Sequence, residues 1–365
     1  MKILTVFGTR PEIIRLSLIM ALLDQHCEQV TVHTGQNYDP NLSDVFLQEL
    51  GIRDVNHHLG IRANTFGDQA GQILSKMDDL LAKEKPDRLL ILGDTNSGLA
   101  AIIAARRGIP VYHLEAGNRC YDNRVPEEVN RRIIDHSSDV LLPYTERSAE
   151  NLVREGIRRD RIFVVGNPIR EVLEHFQPKV DASDVLTRLG LQPGGYFVVT
   201  LHRAENVDLP DRLRALLDAL ASLAKEFNKP AVVSVHPRTA DRIQRLGIQV
   251  DPQWIRLEQP FGLFDFIKLE QSAAGVVTDS GTVQEEACIF GIPNVTIRDV
   301  TERPETTECG SNILAGQHVD RLLAGMRLAM AAGPAWDAPP EYRKQNVAAT
   351  VGRILLSYKH PANGY

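Results

Sequence analysis

The feature that most constrains this chain is a recurring unit: a short, almost wholly apolar run ends at a glycine or polar turn and passes directly into a helix-patterned stretch. KILTVFG is β-branched and apolar up to Gly8. RPEIIRLSLIMALLDQH follows it with Ile13, Leu16, Met20 and Leu23 at helical spacing and Pro11 in the first turn, where a missing N–H is harmless. The apolar run returns as QVTVHTG, RLLILGD, VYHLEAG, DVLLPY and RIFVVGN. Between these lie QAGQILSKMDDLLAKEK, with Ile73, Met77 and Leu80 on one face, then GLAAIIAARRG, EEVNRRIIDHS and ERSAENLVREG. Buried strands that alternate with helices pack as a mostly parallel sheet covered on both sides, so the fold class is α/β.

A chain of 365 residues predicts two domains at about 150 residues each. The rhythm is interrupted near Gly166 to Pro168. After a helical piece over 181–189 it resumes with YFVVTLH, a helix over 210–227, AVVSVHP, IRLE, AAGVVTD, a short helix over 282–290 and NVTIRD. The expected organisation is a first domain over 1–168, a second over 169–345 and a C-terminal helix in 346–365, within PPEYRKQNVAATVGRILLSY, packing across the junction. The 26 Gly and 20 Pro are spread as single turn residues, and no tandem period of about 20–50 residues occurs.

Composition removes several function classes. A net charge of -6 gives no general electrostatic basis for binding nucleic acid, although a compact basic pocket for one diphosphate remains compatible with it. Cys27, Cys120, Cys288 and Cys309 are isolated, as in a reducing compartment. There is no apolar run of about 18 residues, and the apolar stretch Ile3 to Phe7 is too short for a signal peptide. The expectation is a cytoplasmic protein that engages neither membrane nor nucleic acid.

Open parallel sheets bind ligands beyond the carboxyl ends of their strands, which selects candidates by position. In the first half these are Arg10 after KILTVFG, Gln36 after VTVHTG, Asp94 after RLLILG and Glu115 ending VYHLE. In the second they are His202, His236, Asp279 to Thr282, and Arg298 with Arg303 after NVTI. Arg10, with Arg15 one turn on, suits bidentate phosphate binding beside helix N-terminal amides; a surface ion pair is the alternative. Asp94 is either a helix cap or a carboxylate at the sheet edge. Glu115, buried where its strand ends, has the environment of a general acid or base, or else is neutralised by Arg119 or Arg131. Glu127 and Arg131 lie four apart on one helical face, so three carboxylates can line one wall.

In TDSGTVQEEACIFG, Ser280, Gly281 and Thr282 stand where a strand hands over to a helix and offer amides and hydroxyls to phosphate, while Glu286 suits a ribose diol. Among Phe261, Phe264 and Phe266, one residue can stack on a base and the others fill core. His202 lies beside Arg203 and Glu205 in HRAEN. GxGxxG, the P-loop pattern, HExxH and GxSxG are all absent, which disfavours a dehydrogenase, a P-loop ATPase, a zinc enzyme and an α/β-hydrolase.

FGTRPE, TGQNYD, GDTNS, EAGNR, RVPEEVNRR, LHRAEN, TDSGTVQEEA and RDVTERPE, in that order, resemble the motifs of the non-hydrolysing UDP-N-acetylglucosamine 2-epimerases, from Met1 to at least Gly310. The resemblance implies two Rossmann-like domains of the glycosyltransferase-B type facing a central cleft, and a homodimer. It also implies C2 inversion of a UDP-2-acetamido sugar with neither metal nor nicotinamide: anti elimination of UDP to a 2-acetamidoglucal, then readdition with protonation on the opposite face. By motif, Asp94, Glu115 and Glu127 fall on the family's proton-handling carboxylates and Arg131 on an active-site arginine. The site expected is Asp94, Glu115, Glu127, His202 and Arg131 as catalytic residues. Arg10, Arg15, Phe266, Ser280, Gly281, Thr282, Glu286 and Arg303 are its substrate and UDP ligands, and no metal or other cofactor is assigned.

The chain departs from the commoner family pattern in four places. Arg15 replaces a lysine, Asn37 in TGQNYD replaces a histidine, Thr282 turns SGG into SGT, and EAGNRCYDNR, with Asn118, differs from EAGLRTG. These features resemble the branch that acts on UDP-2-acetamido-2,6-dideoxy-L-talose and its L-fuco epimer. The UDP-N-acetylglucosamine/UDP-N-acetylmannosamine pair is the first expectation and the 6-deoxy pair the second. A UDP-sugar glycosyltransferase of the same fold is the third, distinguished by transfer to an acceptor.

Overall fold

The structure, a computed structural model, describes residues 1–35, 46–316 and 318–358; Gln36 and Asn37 lie outside them. Met1–Glu174 and the chain from Glu341 onward form one compact unit, and His175–Pro340 form the other. The helix Ile169–Asp181 carries the passage between them.

Among the described residues the first unit holds six strands, β1 (Lys2–Phe7), β2 (Glu28–His33), β3 (His57–His58), β4 (Arg88–Leu92), β5 (Val111–Leu114) and β6 (Val140–Leu142), in the order β3-β2-β1-β4-β5-β6. All are parallel, with Thr5 opposite Thr31 on one side and Leu90 on the other. The second holds β7 (Phe197–Leu201), β8 (Ala231–Val235), β9 (Ile255–Glu258), β10 (Gly275–Thr278), β11 (Asn294–Thr296) and β12 (Asn312–Leu314), in the order β12-β11-β10-β7-β8-β9. Counted within each unit, both sheets have the doubly wound order 3-2-1-4-5-6, so each is a Rossmann-type α/β layer, and two such domains are what the glycosyltransferase-B type is built from.

Both sheets bury apolar side chains on two faces. Leu4, Val32, Leu89 and Ile91 meet Ile73 and Met77 in the first, and Val199, Val233 and Val277 meet Leu216, Leu220 and Met326 in the second. The winding reverses between β1 and β4 and between β7 and β10, and the turns leaving these four strands stand where such sheets place ligands. Two short edge strands, β3 and β12, have too few residues to show a period-2 pattern.

The C-terminal pattern differs from one continuous helix. A 3-10 turn at Pro340–Tyr342 is followed by a helix over Val347–Ser357, and Asn346 between them adopts φ 59. That left-handed residue ends any continuation of helical geometry. Gly352 lies against Leu22 of the helix Arg10–His26, and a Cβ there would come within 2.3 Å of Leu22 Cδ2, so this segment packs on the first unit. No helix among the described residues is long and apolar enough to cross a membrane.

Candidate functional site

In the first unit the hub of the switch point is Glu12. Thr9 and Glu12 have the T-x-x-E spacing of a capping box, and the buried Glu12 Oε2 accepts from the N–H groups of Gly8 and Thr9, both at 2.7 Å, and from Thr9 Oγ1 at 3.0 Å. Its Oε1 accepts from Thr95 Oγ1 at 2.6 Å. One carboxyl group thus joins the turn after β1, where Arg10 stands, to the turn after β4, where Asp94 stands.

Burial raises the Glu12 pKa from 4.5 to about 7, against the hydrogen bonds that favour its charged form. A raised carboxyl contributes stability below its ordinary value and loses it as pH rises through the folded value. Thermal melts from pH 4.5 to 7 are therefore expected to show wild type losing Tm relative to Glu12→Gln. A difference independent of pH would show Glu12 ionised throughout.

Glu115 follows β5 at φ 70, in the left-handed region that a residue with a Cβ rarely adopts. Strain of this kind, about 1–2 kcal/mol, concentrates at functional sites. Its carboxylate is buried, 3.6 Å from Arg15 Nη1 through Oε2, and Oε1 accepts from Asn118 Nδ2 at 3.3 Å. Arg15, rather than Arg119, is the cation the structure sets beside Glu115; Arg119 pairs with Asp135 and Glu155.

Asp94 is reached by the helix Pro126–His136. Gly98 permits the approach, since a Cβ there would lie 2.5 Å from Ile134 Cδ1. Arg131 donates from Nε to Asp94 Oδ2 at 2.7 Å and from Nη1 to Glu128 Oε2 at 2.6 Å, and Asn130 Nδ2 donates to the Asp94 carbonyl at 3.0 Å. Glu128 is fully buried and also accepts from the N–H groups of Cys120 and Tyr121, both at 3.0 Å, which fixes the loop after Glu115. Glu127 is half-buried in the first turn of the same helix. Arg10 opens its own helix, with its guanidinium 4.9 Å from the Phe46 ring centre.

Beneath these turns His113 bridges Asp135 Oδ1 and the Gly93 carbonyl, both at 2.8 Å, and Asp135 Oδ2 takes Gly117 N–H and Arg119. Burial works to raise the Asp135 carboxyl, but His113 and Arg119 hold it below the usual range. Sequence reasoning passed over Glu12, Glu128 and the His113–Asp135 pair. Glu12 and Glu128 carry local clues, the capping-box spacing and the i,i+3 spacing to Arg131, whereas the His113–Asp135 pair carries none.

The second unit uses a similar device. Asp279, after β10, accepts from the N–H groups of His202 and Arg203, both at 2.9 Å, and from Asn206 Nδ2 at 3.0 Å, joining the turns that leave β7 and β10. His202 Nδ1 lies 2.7 Å from Asp279 Oδ1, which leaves Nε2 as the ring atom able to meet a ligand. Burial opposes the charge on Asp279, yet His202 and these hydrogen bonds hold its carboxyl far below the ordinary range.

Ser280 is the N-cap of the helix Gly281–Phe290, with Thr282 half-buried in its first turn. A Cβ on Gly281 would sit 2.7 Å from Glu302 Oε1, so a side chain there would have to displace the Glu302 carboxylate. Glu302 pairs with buried Arg298 at 2.8 Å, and Arg303 Nε lies 2.6 Å from Glu285 Oε1, which brings Arg303 beside the helix start. Glu286 is buried on that helix. Phe261 and Phe266 are half-buried against the apolar cluster containing Val283 and Ala287, whereas Phe264 packs on Phe176 with ring centres 5.6 Å apart. His236 caps a helix, its Nδ1 accepting from the Arg238 N–H at 3.2 Å, and its ring centre lies 6.1 Å from that of His202.

Comparison with known proteins places this geometry in context. The family described as UDP-N-acetylglucosamine 2-epimerase matches residues 21–356. The UDP-N-acetylglucosamine 2-epimerase of Methanocaldococcus jannaschii is 39% identical over 347 residues, covering 93% of this chain and 95% of that protein. The UDP-2,3-diacetamido-2,3-dideoxy-D-glucuronate 2-epimerase of Pseudomonas aeruginosa is also 39% identical, covering 90% and 92%. Among solved structures, the Methanocaldococcus jannaschii UDP-GlcNAc 2-epimerase in complex with UDP-GlcNAc and UDP superposes with a TM-score of 0.92 at 36% identity, covering 98% of this chain and 100% of that one.

Proposed function

The chain belongs to the UDP-N-acetylglucosamine 2-epimerase family, and on that premise we propose that it interconverts UDP-N-acetylglucosamine and UDP-N-acetylmannosamine by elimination and readdition of UDP, without hydrolysis. The observation that carries the chemistry is Glu115, a buried carboxylate in strained backbone, accompanied at the strand ends by Asp94 and by Glu127 on the helix that carries Arg131. The C2 hydrogen has no adjacent carbonyl to acidify it, so its removal needs a held base and a leaving group that departs with it. A carboxylate takes the C2 proton as the C1–O bond breaks, giving the 2-acetamidoglucal and UDP. A protonated carboxyl then returns a proton to the opposite face of C2 as UDP oxygen re-forms the bond to C1.

The second unit supplies the nucleotide side of the reaction. Amides and hydroxyls of Ser280, Gly281 and Thr282 meet the diphosphate, Arg303 adds charge, Phe266 flanks the base and Glu286 accepts from the ribose. His202, oriented by Asp279, presents Nε2 to the departing phosphate. In the first unit Arg10 and Arg15 neutralise charge that grows on UDP as it leaves. Preorganised groups of this kind lower the barrier by stabilising developing charge without reorganising.

Turnover in deuterated water is expected to place deuterium at C2 of the product, read by NMR or mass spectrometry. Complete retention of protium at C2 would overturn this route.

A second sugar pair is favoured by one specific observation. Of the residues that depart from the commoner pattern, Arg15 and Asn118 are both in contact with Glu115. The departures therefore bear on the carboxylate assigned to proton transfer, as a change of sugar would require. The deciding measurement is kcat/KM for UDP-N-acetylglucosamine and for UDP-2-acetamido-2,6-dideoxy-L-talose, with a UDP-2,3-diacetamido sugar in the same panel. The expected result is turnover of the first. A preference above about 100-fold for the 6-deoxy-L sugar would replace the substrate while keeping the carboxylate roles.

A further inference from the structure

Glu270 stands on the helix Leu263–Gln271, which also carries Phe266, and its side chain is fully buried. Both carboxyl oxygens are sealed from solvent, and among the described residues neither receives a hydrogen bond from an N–H group or a hydroxyl. The polar group it meets is a second carboxyl, that of Glu286, itself only 4% exposed on the helix Gly281–Phe290. Leu269, Val283 and Ala287, neighbours of the pair on the two helices, belong to one apolar cluster.

Two ionised carboxylates do not coexist in such a place, because each loses its hydration and each repels the other. Burial, and after it the charge and hydrogen bond of Glu286, push the Glu270 carboxyl well above its ordinary value. One proton between the two groups removes the repulsion: the acid donates a hydrogen bond and the carboxylate accepts it.

Glu286 is the residue assigned above to the ribose diol, and the inference rests on that assignment. We propose that Glu270 is the protonated member of a carboxylic acid–carboxylate pair and positions Glu286 for the ribose of UDP, donating to one Glu286 oxygen while the remaining lone pairs accept from the diol. Glu270 touches Glu286 and not the nucleotide. Its hydrogen bond favours the charged form of Glu286, and a charged acceptor binds hydroxyls more strongly than a neutral one. The pair therefore makes the site selective for a ribose with both hydroxyls.

The test uses the full-length protein as wild type, Glu270→Gln, which keeps an N–H donor toward Glu286, and Glu270→Leu, which has none. Infrared difference spectra at pH 8, wild type minus Glu270→Gln, are expected to show the C=O stretch of a protonated carboxylic acid. Calorimetric Kd values for 2′-deoxy-UDP and UDP are expected to differ by at least about tenfold in wild type and Glu270→Gln, and by less than about threefold in Glu270→Leu. Absence of the infrared band, or an unchanged Kd ratio in Glu270→Leu, overturns the proposal. The infrared arm needs only the Gln variant, so it decides even if Glu270→Leu does not fold. A wild-type protein that binds UDP and 2′-deoxy-UDP equally overturns the assignment of Glu286 to the ribose, and the infrared band still tests the shared proton separately.

Discussion

Glu115→Gln is expected to lower kcat by at least about 100-fold while UDP affinity stays within about threefold of wild type, because the amide keeps the shape of the side chain and loses its proton chemistry together with the charge beside Arg15. Asn118 Nδ2 donates to one Glu115 oxygen and Arg15 lies 3.6 Å from the other, so the glutamine oxygen keeps one donor while its NH2 faces the second, a cost the thermal melts read separately. Asp94→Asn and Glu127→Gln are expected to act in the same direction. The Asp94 variant carries an added effect, since Arg131 loses the Asp94 carboxylate it donates to and retains Glu128. Steady-state kinetics, with UDP titrations and thermal melts as controls, checks all three. At least two should reach the 100-fold loss, and near-wild-type rates in all three would remove the carboxylates from the mechanism.

Gly117→Ala is expected to be the most damaging single methyl in the first unit. Gly117 has φ 82, and a Cβ there would lie 2.2 Å from the Ser148 carbonyl oxygen and 2.9 Å from Leu152 Cγ. The first contact is with backbone, which cannot rotate away, and the Gly117 N–H is also held by Asp135. Overpacking and left-handed strain together cost about 3–5 kcal/mol, and at about 2–4 °C per kcal/mol Tm falls by on the order of 10 °C. Gly93→Ala is the control: its φ of 74 is similar, but a Cβ would meet nothing within 4 Å, so only the backbone cost of about 1 kcal/mol applies. Because the loop between Glu115 and Glu128 moves with Gly117, the variant should also lose turnover. A smaller Tm loss for Gly117→Ala than for Gly93→Ala would contradict the close approach.

The strand-end groups of the candidate site are legible in the sequence. Asp94, Glu115, His202 and Asp279 stand out because each follows an apolar run, and a parallel strand announces its own end through local residues. The helix start at Ser280 to Thr282 was read in the same way. His236 satisfies that rule as well and also caps a helix, with its ring centre 6.1 Å from that of His202, because a strand-end position says where a side chain begins and not which partners it takes.

The sequence by itself determined the α/β class, the two-fold repetition of the strand–helix rhythm and the roster of groups at the strand ends, because periodicity and turn chemistry are properties of neighbouring residues. Tertiary structure decided the pairings. Glu12 meets Thr95, Arg15 meets Glu115 and Arg131 meets Asp94 only after segments far apart in the chain lie side by side, and Glu270 meets Glu286 only when two successive helices joined through β10 pack together. It also decided which carboxyls keep their charge. Asp279 is held ionised by a histidine and three N–H donors, whereas Glu270, equally buried, meets only another carboxyl among the described residues. Burial sets the size of the electrostatic penalty, and the partner that folding brings up decides whether the group stays charged or takes a proton.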